Sequence, residues 1–410
     1  MKVLLVNRHL GRVGGDATYT LQLARLLEER GHSVTAFGLQ GNVAAGLSAP
    51  ILMEPMDFPG LLQRGGPAAA LKVLGRTIYS LRARALMDRV LEQHRPDIVH
   101  LQNIHHHITP SVITAAAARR VPVVWTLHDY TVICPNGNLW RNGSVCEQCR
   151  PLRFHRAVVN RCKRDSMLAS AVAAVETSAH RLMGVFKNVQ LFIAPSRFMQ
   201  EKLRDFGFFS DKVVHLDNFL PAASGQGTPP GGSLLYTGRL IEEKGIATML
   251  EAAHRCEVPL VVAGDGPMKP LVEEACRRNR RISFVGHVGE GDLQHMRRQA
   301  LAVVIPSECY ENQPYALLEA FASGRPVIAS DLGSLPDLIG KEERGLLFRP
   351  SDPESLAVAI RRLAAQPALA ETMGVAAAAF VRERFSSNKH YEGLMQLYRR
   401  AGATGMDRAA

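Results

Sequence analysis

The segment Val3-Leu-Leu-Val6, the turn Gly11-Arg-Val-Gly-Gly15, the run 18–30 and the segment Ser33-Val-Thr-Ala-Phe37 together decide the fold. The first and last segments are short and mostly apolar, which is typical of buried strands. The run 18–30 carries apolar residues at helical spacing, and Gly31 follows it as a helix C-cap does. This order of strand, glycine-rich turn, helix and strand predicts a βαβ unit in a parallel sheet.

The same alternation recurs along the chain and predicts an α/β protein of two domains. We predict two doubly wound, Rossmann-like domains, at 1–220 and 233–385, facing each other across a cleft. The Gly- and Pro-rich stretch 221–232 is predicted to be the linker, and an amphipathic helix within 386–410 is expected to pack back toward the N-terminal domain. The further predicted strands are Asp97–Leu101, Val121–Leu127, Leu191–Ala194, Leu234–Tyr236, Leu260–Val262, Ile282–Val285, Val303–Ile305 and Pro326–Ala329.

Two more elements are predicted in the N-terminal half. Residues 41–75 are rich in Gly, Pro and Ala, which is typical of a long loop with partial helix. From about Thr77 to Gln93 the apolar residues recur at helical spacing, so a helix is expected there.

The composition is that of ordinary globular domains, with 46% hydrophobic and 21% charged residues among 410. No apolar run reaches the roughly 18 residues that a membrane span needs. The chain starts on a strand-like run and shows no secretory-signal layout. A cytoplasmic location is therefore expected, with peripheral contact at the inner face of the membrane.

The formal net charge of +11 resides in the N-terminal half. Residues 1–220 contain 27 Lys and Arg against 16 Asp and Glu, while the remaining residues contain 22 of each. This excess predicts an anionic partner, such as a lipid-linked phosphate or an anionic membrane surface. A well-solvated arginine-rich surface is the alternative. Nucleic acid is not expected, because the basic half has no recognisable binding motif.

Two turns between a strand and a helix are candidate phosphate sites. In Gly11–Gly15 the backbone N–H groups could approach a phosphate, although the spacing does not match the dinucleotide fingerprint. A plain strand–helix turn is the alternative. In the segment from Gly238 to Gly245, Arg239 offers a planar guanidinium and Lys244 a point charge to one diphosphate. Two surface cations without a ligand would be the simpler interpretation.

The segment Glu311-Asn-Gln-Pro-Tyr-Ala-Leu-Leu-Glu319 joins a loop to a helix, with Pro314 expected in the first helical turn. If the segment were helical throughout, its two carboxylates would lie about 12 Å apart. A hydrolytic pair needs about 5–9.5 Å. We therefore predict two anchors for the hydroxyls of one extended ligand, since carboxylate oxygens accept O–H bonds. Two solvated glutamates at a helix start are the alternative.

Histidines follow two of the predicted strands. His128 lies at a strand end, where such sheets bind ligands, and is predicted to bond a sugar hydroxyl or to position the acceptor. A structural histidine is the alternative. His105, His106 and His107 are adjacent, so they cannot all face one metal from a regular element, and they are interpreted as loop residues near the acceptor cleft.

Four of the seven cysteines lie close together in sequence. Cys134, Cys146, Cys149 and Cys162 contain one CxxC pair and two outlying thiols. Four thiolates satisfy a tetrahedral structural zinc. Thiols without a metal and a redox role are the alternatives.

These segments, in this order, resemble the retaining nucleotide-sugar glycosyltransferases of the GT-B class, carbohydrate-active family four. The most specific part runs from Glu311 to Ser330 and is similar to the family's two-glutamate signature and its Gly-x-Pro-Val strand. The segments Gly238–Gly245 and Gly264–Pro267 match two more. The resemblance extends from Lys2 to about Ala401. The cysteine-bearing insert is similar to one found in a subset of the family.

The resemblance implies transfer of a hexose-type sugar, with retention, from a nucleotide-diphosphate sugar to a hydroxyl acceptor in cell-surface glycan or glycolipid assembly. UDP and GDP are the expected nucleotides, and no cofactor is required at the diphosphate. The resemblance also implies which part of the donor each residue would contact. The diphosphate would be bound by Arg239, Lys244 and Gly238, the ribose by Glu319, and the base by His287 and Val288. The sugar would be contacted by Glu311, His128, Asn312, Gln313 and Pro314, and Gly14 and Gly15 would approach the phosphates or the sugar.

Two departures from the family pattern leave the donor open. Phe219 follows Asn218 where the family commonly has Gly, and Asn312-Gln-Pro314 replaces a glycine-rich form. Other classes of protein would use the same anchors: a nucleotide-sugar epimerase or phosphorylase, and a non-catalytic sugar-nucleotide-binding subunit. Epimerised donor without acceptor would favour the first. Loss of one of the four anchor residues would favour the second. All four are present: Arg239, Lys244, Glu311 and Glu319.

Overall fold

The computed structural model describes residues 1–11, 14–41, 43–44, 47, 50–55, 74–221 and 230–404. Contacts between Cα atoms divide the chain into two compact units. Unit 1 comprises Met1–Asn138, Glu147–Asn218 and Asn388–Ala410, and unit 2 comprises Leu139–Cys146 and Phe219–Ser387. Most of the predicted linker 221–232, and much of the predicted loop 41–75, lies outside the described residues.

The larger segment of unit 2 begins at Phe219, two residues before the predicted linker. The reason is packing. Leu220 is 9% exposed and belongs to a hydrophobic cluster of unit 2 that includes Phe385. The backbone N–H of Leu220 also donates to the carbonyl of Phe385 at 2.9 Å.

Unit 1 contains a seven-stranded sheet in which every strand pair is parallel. Strands β4 and β5 are buried at every position, as expected when both faces of a parallel sheet are covered. The strands are β1 (Lys2–Val6), β2 (Ser33–Leu39), β3 (Ile51–Met53), β4 (Ile98–Leu101), β5 (Val123–Thr126), β8 (Leu191–Ala194) and β9 (Val213–His215), in the order β3-β2-β1-β4-β5-β8-β9. The strand order reverses between β1 and β4.

Among the described residues of unit 1, the helices with defined bounds are α1 (Gly15–Glu29), α2 (Leu81–His94), α3 (Ser111–Ala118), α4 (His155–Val159), α5 (Met167–Leu182) and α6 (Arg197–Asp205), with a 3-10 turn at Val185–Asn188. Residues 74–78 are helical as well. Helix α2 begins four residues later than predicted. Thr77 lies in the separate helical stretch 74–78, and residues 79–80 interrupt the helix there. The Ser80 side chain accepts a hydrogen bond from the Ala83 N–H at 3.1 Å and caps α2, so this helix starts after Ser80.

Unit 2 contains a six-stranded parallel sheet and a short antiparallel hairpin, β6 (Trp140–Arg141) with β7 (Ser144–Val145). The sheet consists of β10 (Ser233–Arg239), β11 (Leu260–Asp265), β12 (Ile282–Gly286), β13 (Ala300–Ile305), β14 (Val327–Ser330) and β15 (Gly345–Phe348), in the order β12-β11-β10-β13-β14-β15. Leu234 and Tyr236 join one hydrophobic cluster and Leu235 joins another, so β10 is buried on both faces.

The helices of unit 2 are α7 (Ile246–His254), α8 (Lys269–Arg278), α9 (Glu290–Gln299), α10 (Tyr315–Ala322), α11 (Leu335–Ile339), α12 (Pro353–Ala365) and α13 (Pro367–Arg384), with a 3-10 turn at Glu242–Lys244. The strand order reverses between β10 and β13. Leu317, Leu318 and Phe321 of α10 are fully buried, as their spacing predicts.

Helix α14 (Ser387–Arg400) packs on unit 1. The Tyr398 hydroxyl lies 2.7 Å from His100 Nδ1, and His390 Nε2 lies 3.1 Å from the Tyr19 hydroxyl. Leu394 and Tyr398 are fully buried. The buried side of α14, which includes His390, Leu394, Met395 and Tyr398, is therefore part of the core of unit 1.

The predicted class, α/β with two Rossmann-like parallel-sheet domains, is confirmed. Within the described ranges, no single helix is long and apolar enough to cross a membrane. Taken together, Pro353–Ala365 and Pro367–Arg400 have the length and apolar composition of a membrane span, but the two helical segments meet at a bend of 99°.

Candidate active site

The reversal of strand order in unit 2 places the loops after β10 and β13 side by side. Ligands of doubly wound sheets bind at such a point, outside the carboxyl ends of the strands. The loop after β10 carries Arg239 and Lys244, and the loop after β13 carries Glu311. The sheet thus brings together three of the predicted site residues from positions about 70 apart in sequence.

Lys244 and Glu311 form an ion pair within unit 2. Ser307 Oγ also donates to Glu311 Oε1 at 2.5 Å. Burial alone would raise the pKa of Glu311, but Lys244 and Ser307 lower it below its usual range. Burial would likewise lower the pKa of Lys244, but Glu311 raises it. Both groups are therefore charged at neutral pH.

A close approach of backbones positions Lys244. Gly245 has φ of 68°, a left-handed conformation that glycine adopts readily. A Cβ at Gly245 would lie 1.9 Å from the carbonyl oxygen of Pro306. The 3-10 turn that carries Lys244 can therefore lie against the loop after β13 only with glycine at position 245.

Arg239 ends β10 and is exposed. Its backbone carbonyl accepts a hydrogen bond from the Tyr236 hydroxyl at 2.8 Å, which orders the strand end. Its guanidinium forms no ion pair with any described residue. Arg239 and Lys244 thus place two cations of different kind at one end of the sheet.

The Glu311–Glu319 segment is not helical throughout, so the premise of the 12 Å separation was wrong. Pro314 has extended geometry (φ −70°, ψ 125°) and precedes helix α10, which begins at Tyr315, instead of lying in its first turn. The two carboxylates have different partners: Glu311 contacts Lys244, whereas Glu319 contacts Arg297. Their roles as two hydroxyl anchors of one ligand stay a prediction.

Arg297 is a residue that the sequence analysis missed. It is 4% exposed and donates from Nη2 to Glu319 Oε2 at 2.6 Å and from Nη1 to Glu290 Oε1 at 2.9 Å. Burial raises the pKa of Glu319 to about 7, even though Arg297 lowers it. No local spacing rule links positions 297 and 319, because one lies on α9 and the other on α10.

The remaining predicted donor residues of unit 2 lie at the same edge of the sheet or near it. His287 is exposed and Val288 half-buried, directly after β12. Gly238, with φ of 156°, is the next-to-last residue of β10. Asn312 is half-buried and Gln313 buried, between Glu311 and α10.

In unit 1 the reversal between β1 and β4 gathers a second polar set. Asn7 Oδ1 accepts from the N–H of Asn103 at 3.1 Å, which ties together the residues that follow the two strands. Gly14 is the N-cap of α1 with φ of 106°, and Gly15 is the first residue of that helix. Arg12 and Val13 of the predicted turn lie outside the described residues.

His128 follows β5 and is held by Gln102, which follows β4. His128 Nε2 lies 2.7 Å from Gln102 Oε1, so the proton is assigned to Nε2 and Nδ1 is an acceptor. Burial lowers the pKa of His128, which makes the neutral ring the dominant form at neutral pH. Asp129 accepts from the Thr131 N–H at 2.8 Å.

The three consecutive histidines point to different neighbours. The buried ring of His105 lies 5.6 Å from that of Trp125, and His106 Nδ1 lies 3.1 Å from Glu176 Oε2. Burial and Arg8 lower the pKa of His107 to about 4. Across the described part of the chain, no three His, Cys, Asp or Glu side chains are placed to hold a metal.

That finding bears on the predicted zinc ligands as well. Cys149 and Cys162 pack on one small hydrophobic cluster that includes Phe154. Cys134 is buried and Cys146 half-buried. As placed, these cysteines do not form a ligand set, so the structural zinc stays a prediction and no chemical step depends on it.

Comparisons with known proteins agree with this architecture. The profile described as Glycosyltransferase Family 4 matches residues 13–222, about half of the chain, and that described as Glycosyl transferases group 1 matches residues 231–366. Among solved structures, sucrose-phosphate synthase from Thermosynechococcus elongatus superimposes with a TM-score of 0.72 at 20% identity, covering 98% of this chain and 100% of the other. HepE of Anabaena in complex with UDP and glucose gives 0.68 at 17% identity, covering 97% and 99%.

Curated relatives match over shorter stretches. A glycogen synthase of Mycobacterium tuberculosis is 32% identical over 38% of each chain. The α-D-kanosaminyltransferase of Streptomyces kanamyceticus is 30% identical over 41% of this chain and 46% of its own. The chain thus spans between about a third and a half of the length of these relatives.

The two Rossmann-like units, together with the superposition of sucrose-phosphate synthase and HepE over nearly the whole chain, show the GT-B fold class of glycosyltransferases. Within that class the family profile decides the assignment. The chain belongs to glycosyltransferase family 4.

Proposed function

We propose that the chain transfers a hexose-type sugar, with retention, from a nucleotide-diphosphate sugar to a hydroxyl acceptor. The observation that carries the proposal is the placement of Arg239, Lys244 and Glu311 at the carboxyl ends of β10 and β13. Two cations and a carboxylate at one strand edge match a ligand that has both a diphosphate and hydroxyls.

Arg239 and Lys244 would bind the diphosphate and stabilise it as it leaves. Negative charge grows on the leaving diphosphate as the glycosidic bond breaks, and preorganised cations stabilise that charge without further reorganisation. The Glu311 carboxylate holds the Lys244 ammonium in place and raises its pKa, so the lysine stays protonated throughout. No metal is needed for this part of the chemistry.

Glu311 would accept hydrogen bonds from hydroxyls of the transferred sugar. Lys244 and Ser307 both contact this carboxylate, which makes it a poor nucleophile and a well-oriented acceptor. Glu319 would bind the ribose, and the base would lie near His287 and Val288. Retention is then proposed to occur by attack on the face that the diphosphate leaves, with positioning supplying much of the rate.

His128 would contact a hydroxyl of the sugar or of the acceptor. Its Nε2 lies 2.7 Å from Gln102 Oε1, a contact that orients the ring. Burial keeps the ring neutral, so it adds no charge beside a polar substrate.

The relatives support a nucleotide-sugar donor. HepE was solved with UDP and glucose and also with UDP-glucose, and UDP or GDP is the nucleotide we propose here. For the acceptor we propose a hydroxyl, lipid-linked or otherwise, in cell-surface glycan or glycolipid assembly at the cytoplasmic face of the membrane. The excess of basic residues in the N-terminal half supports that part of the proposal.

A thermal-shift panel of UDP-, GDP-, ADP- and dTDP-sugars tests the proposal. A donor at about a hundredfold excess over its dissociation constant should stabilise the protein by roughly 2.7 kcal/mol. The same donor should not stabilise the Lys244→Ala variant. No response to any nucleotide sugar would overturn the proposal, and epimerised donor in the absence of acceptor would favour an epimerase instead.

A further inference from the structure

One surface of unit 1 combines a dense cluster of cations with an exposed apolar row. It consists of the segment 150–168 and the outward side of α5, and we call it the basic–apolar face. Residues 150–168 contain six Lys and Arg and one Asp, a net charge of +5 out of +11 for the chain. The cations are Arg150, Arg153, Arg156, Arg161, Lys163 and Arg164.

These cations are not neutralised within the protein. Five of the six are exposed and Lys163 is half-buried. None forms an ion pair with any residue that the structure describes. Other surface cations, such as Arg119, Arg255 and Arg362, each contact a carboxylate. What distinguishes the basic–apolar face is that six cations without an ion pair to a described residue lie within 15 residues, so their charge is available to an external partner.

The apolar row lies on α5. Leu168, Val175 and Leu182 are 71%, 46% and 87% exposed. They are spaced seven residues apart, close to two helical turns, so they share one side of the helix over about 21 Å. The opposite side of α5 is buried through Ala173 and Ala174. Exposed apolar rows of this kind mark interaction surfaces.

Packing joins the two halves of this face. Helix α4, within the basic segment, contacts α5. Phe154 and Ala157 on the basic segment pack with Ala174 of α5 and with Cys149 in one hydrophobic cluster. The cations and the apolar row are therefore carried on one packed pair of elements. Leu152 and Val159, within the basic segment itself, are also 44% and 68% exposed, so cations and exposed apolar side chains occur together there.

We propose that the basic–apolar face binds the surface of an anionic lipid membrane. The cations would contact headgroup phosphates, and the leucines of α5 would enter the boundary between headgroups and acyl chains, as interfacial helices do. A nucleic acid would use the cations and leave Leu168 and Leu182 without a role. The inference rests on the proposed function for the location of the acceptor at a membrane, and it assigns that contact to one face, whereas donor binding is a separate property of unit 2.

Co-sedimentation of the full chain with lipid vesicles tests the proposal. At about 0.1 M salt the protein should bind phosphatidylglycerol vesicles, and it should bind phosphatidylcholine vesicles at least tenfold more weakly. Two variants probe the two components of the face: Arg150→Glu/Arg153→Glu/Arg156→Glu and Leu168→Gln/Leu182→Gln. We expect the first to weaken partitioning more than about tenfold and the second about threefold or more.

A matched control changes the same charge elsewhere. Arg25, Arg89 and Arg280 are exposed and form no ion pair with a described residue, so Arg25→Glu/Arg89→Glu/Arg280→Glu should bind vesicles nearly as the parent does. Circular dichroism and thermal midpoints like those of the parent establish that each variant is folded. Response to a nucleotide sugar is a separate readout in unit 2, so failure here and failure of the proposed function are distinguishable.

Three outcomes would overturn the proposal. The first is absence of binding to anionic vesicles, and the second is an equal loss in the control variant. The third is a combined result: the arginine variant loses vesicle binding, the leucine variant keeps it, and the parent protein binds a single-stranded oligonucleotide tightly. That last pattern would assign the face to nucleic acid.

Discussion

Arg239 and Lys244 differ in how the protein holds them, although both are assigned to the diphosphate. Lys244 is ion-paired with Glu311, whereas Arg239 is exposed at the end of β10. Removing Lys244 leaves the Glu311 carboxylate, whose side chain is only 12% exposed, without its cation, which costs stability. Removing Arg239 leaves no such group behind. The two positions therefore separate an effect on catalysis from an effect on folding.

Arg239→Ala and Lys244→Ala should each reduce sugar transfer or donor hydrolysis by about 10²–10³-fold, by analogy with the loss of one oxyanion donor. Only Lys244→Ala should also lower the thermal midpoint. Turnover and melting are measured side by side, with Arg280→Ala as the control for loss of an exposed cation. Near-normal turnover in both variants would contradict the assignment.

Glu319 predicts a pH dependence for donor binding. Burial raises the pKa of Glu319 to about 7, so the carboxylate gains a proton as the pH falls through 7. The ionised carboxylate accepts hydrogen bonds at both oxygens, whereas the protonated form does not. Donor affinity should therefore decrease from pH 8 to pH 6, by up to about tenfold for each pH unit below the pKa.

Calorimetric titration of the donor across that pH range measures the effect. Glu319→Gln should bind more weakly at pH 8 and show a flat profile. A profile unchanged by that substitution would assign the pH dependence to another group.

The sequence points to candidate site residues of unit 2, but it does not predict which side chains they contact. Arg239, Lys244 and Glu311 follow from residue type and position after strands. Arg297 could not be predicted in the same way, because its contacts with Glu319 and Glu290 depend on how α9 packs beside α10. Local sequence pattern points to the candidate ligand-binding residues, while the packing of the helices decides which side chains contact them.

Among single elements, the first residue of a helix is predicted less exactly than the helix itself, because side-chain capping and not apolar periodicity determines where the helix starts. The apolar period alone suggested that α2 starts near Thr77, but the Ser80 side chain caps it at Leu81. Pro314 likewise precedes α10. Short buried strands were easier to place: β8 has the predicted bounds, Leu191–Ala194.

Helix α5 offers a direct test of capping. The Ser166 side chain accepts from the Ala169 N–H at 3.2 Å. Ser166→Ala should lower the free energy of unfolding by about 1 kcal/mol, and Ser166→Asp, which can cap equally well, should restore it. Urea unfolding followed by circular dichroism measures both. Equal destabilisation by the two substitutions would show that the hydroxyl has another role.

The cysteine segment tests the prediction of a structural zinc. If Cys134, Cys146, Cys149 and Cys162 bind zinc, elemental analysis of the purified full chain should give about one zinc per molecule. Replacing Cys149 with Ser should release it, whereas Cys256→Ser should not. A zinc content near zero in protein purified without chelator would favour thiols without a metal.

For the whole molecule, the sequence predicts two parallel-sheet domains because short strand runs alternate with helices on both sides of a breaker-rich stretch. The membership of each unit depends on contacts that no local pattern reports. Tyr398 and His100, for example, are 298 positions apart. The grouping of the hairpin residues Leu139–Cys146 with unit 2 is equally non-local.

Removing residues 388–410 should destabilise unit 1 in particular. Leu394 and Tyr398 are fully buried there, and loss of a large buried aromatic side chain alone costs about 3–5 kcal/mol. Scanning calorimetry should show a lower melting transition for the truncated chain. The milder Tyr398→Phe, which keeps the ring, should cost only about 1 kcal/mol through the lost hydrogen bond to His100. Unchanged melting after truncation would contradict this account.

The position of α14 also sets an order of events during synthesis. Domains usually fold as the ribosome releases them, with the N-terminal one first. Here the first 218 residues emerge without a helix that fills part of their own core, since Leu394 and Tyr398 come from residues made only after Ser387. Residues 219–387 are therefore released in full before unit 1 is complete. The nascent N-terminal half leaves the apolar surface that α14 later covers exposed throughout that interval.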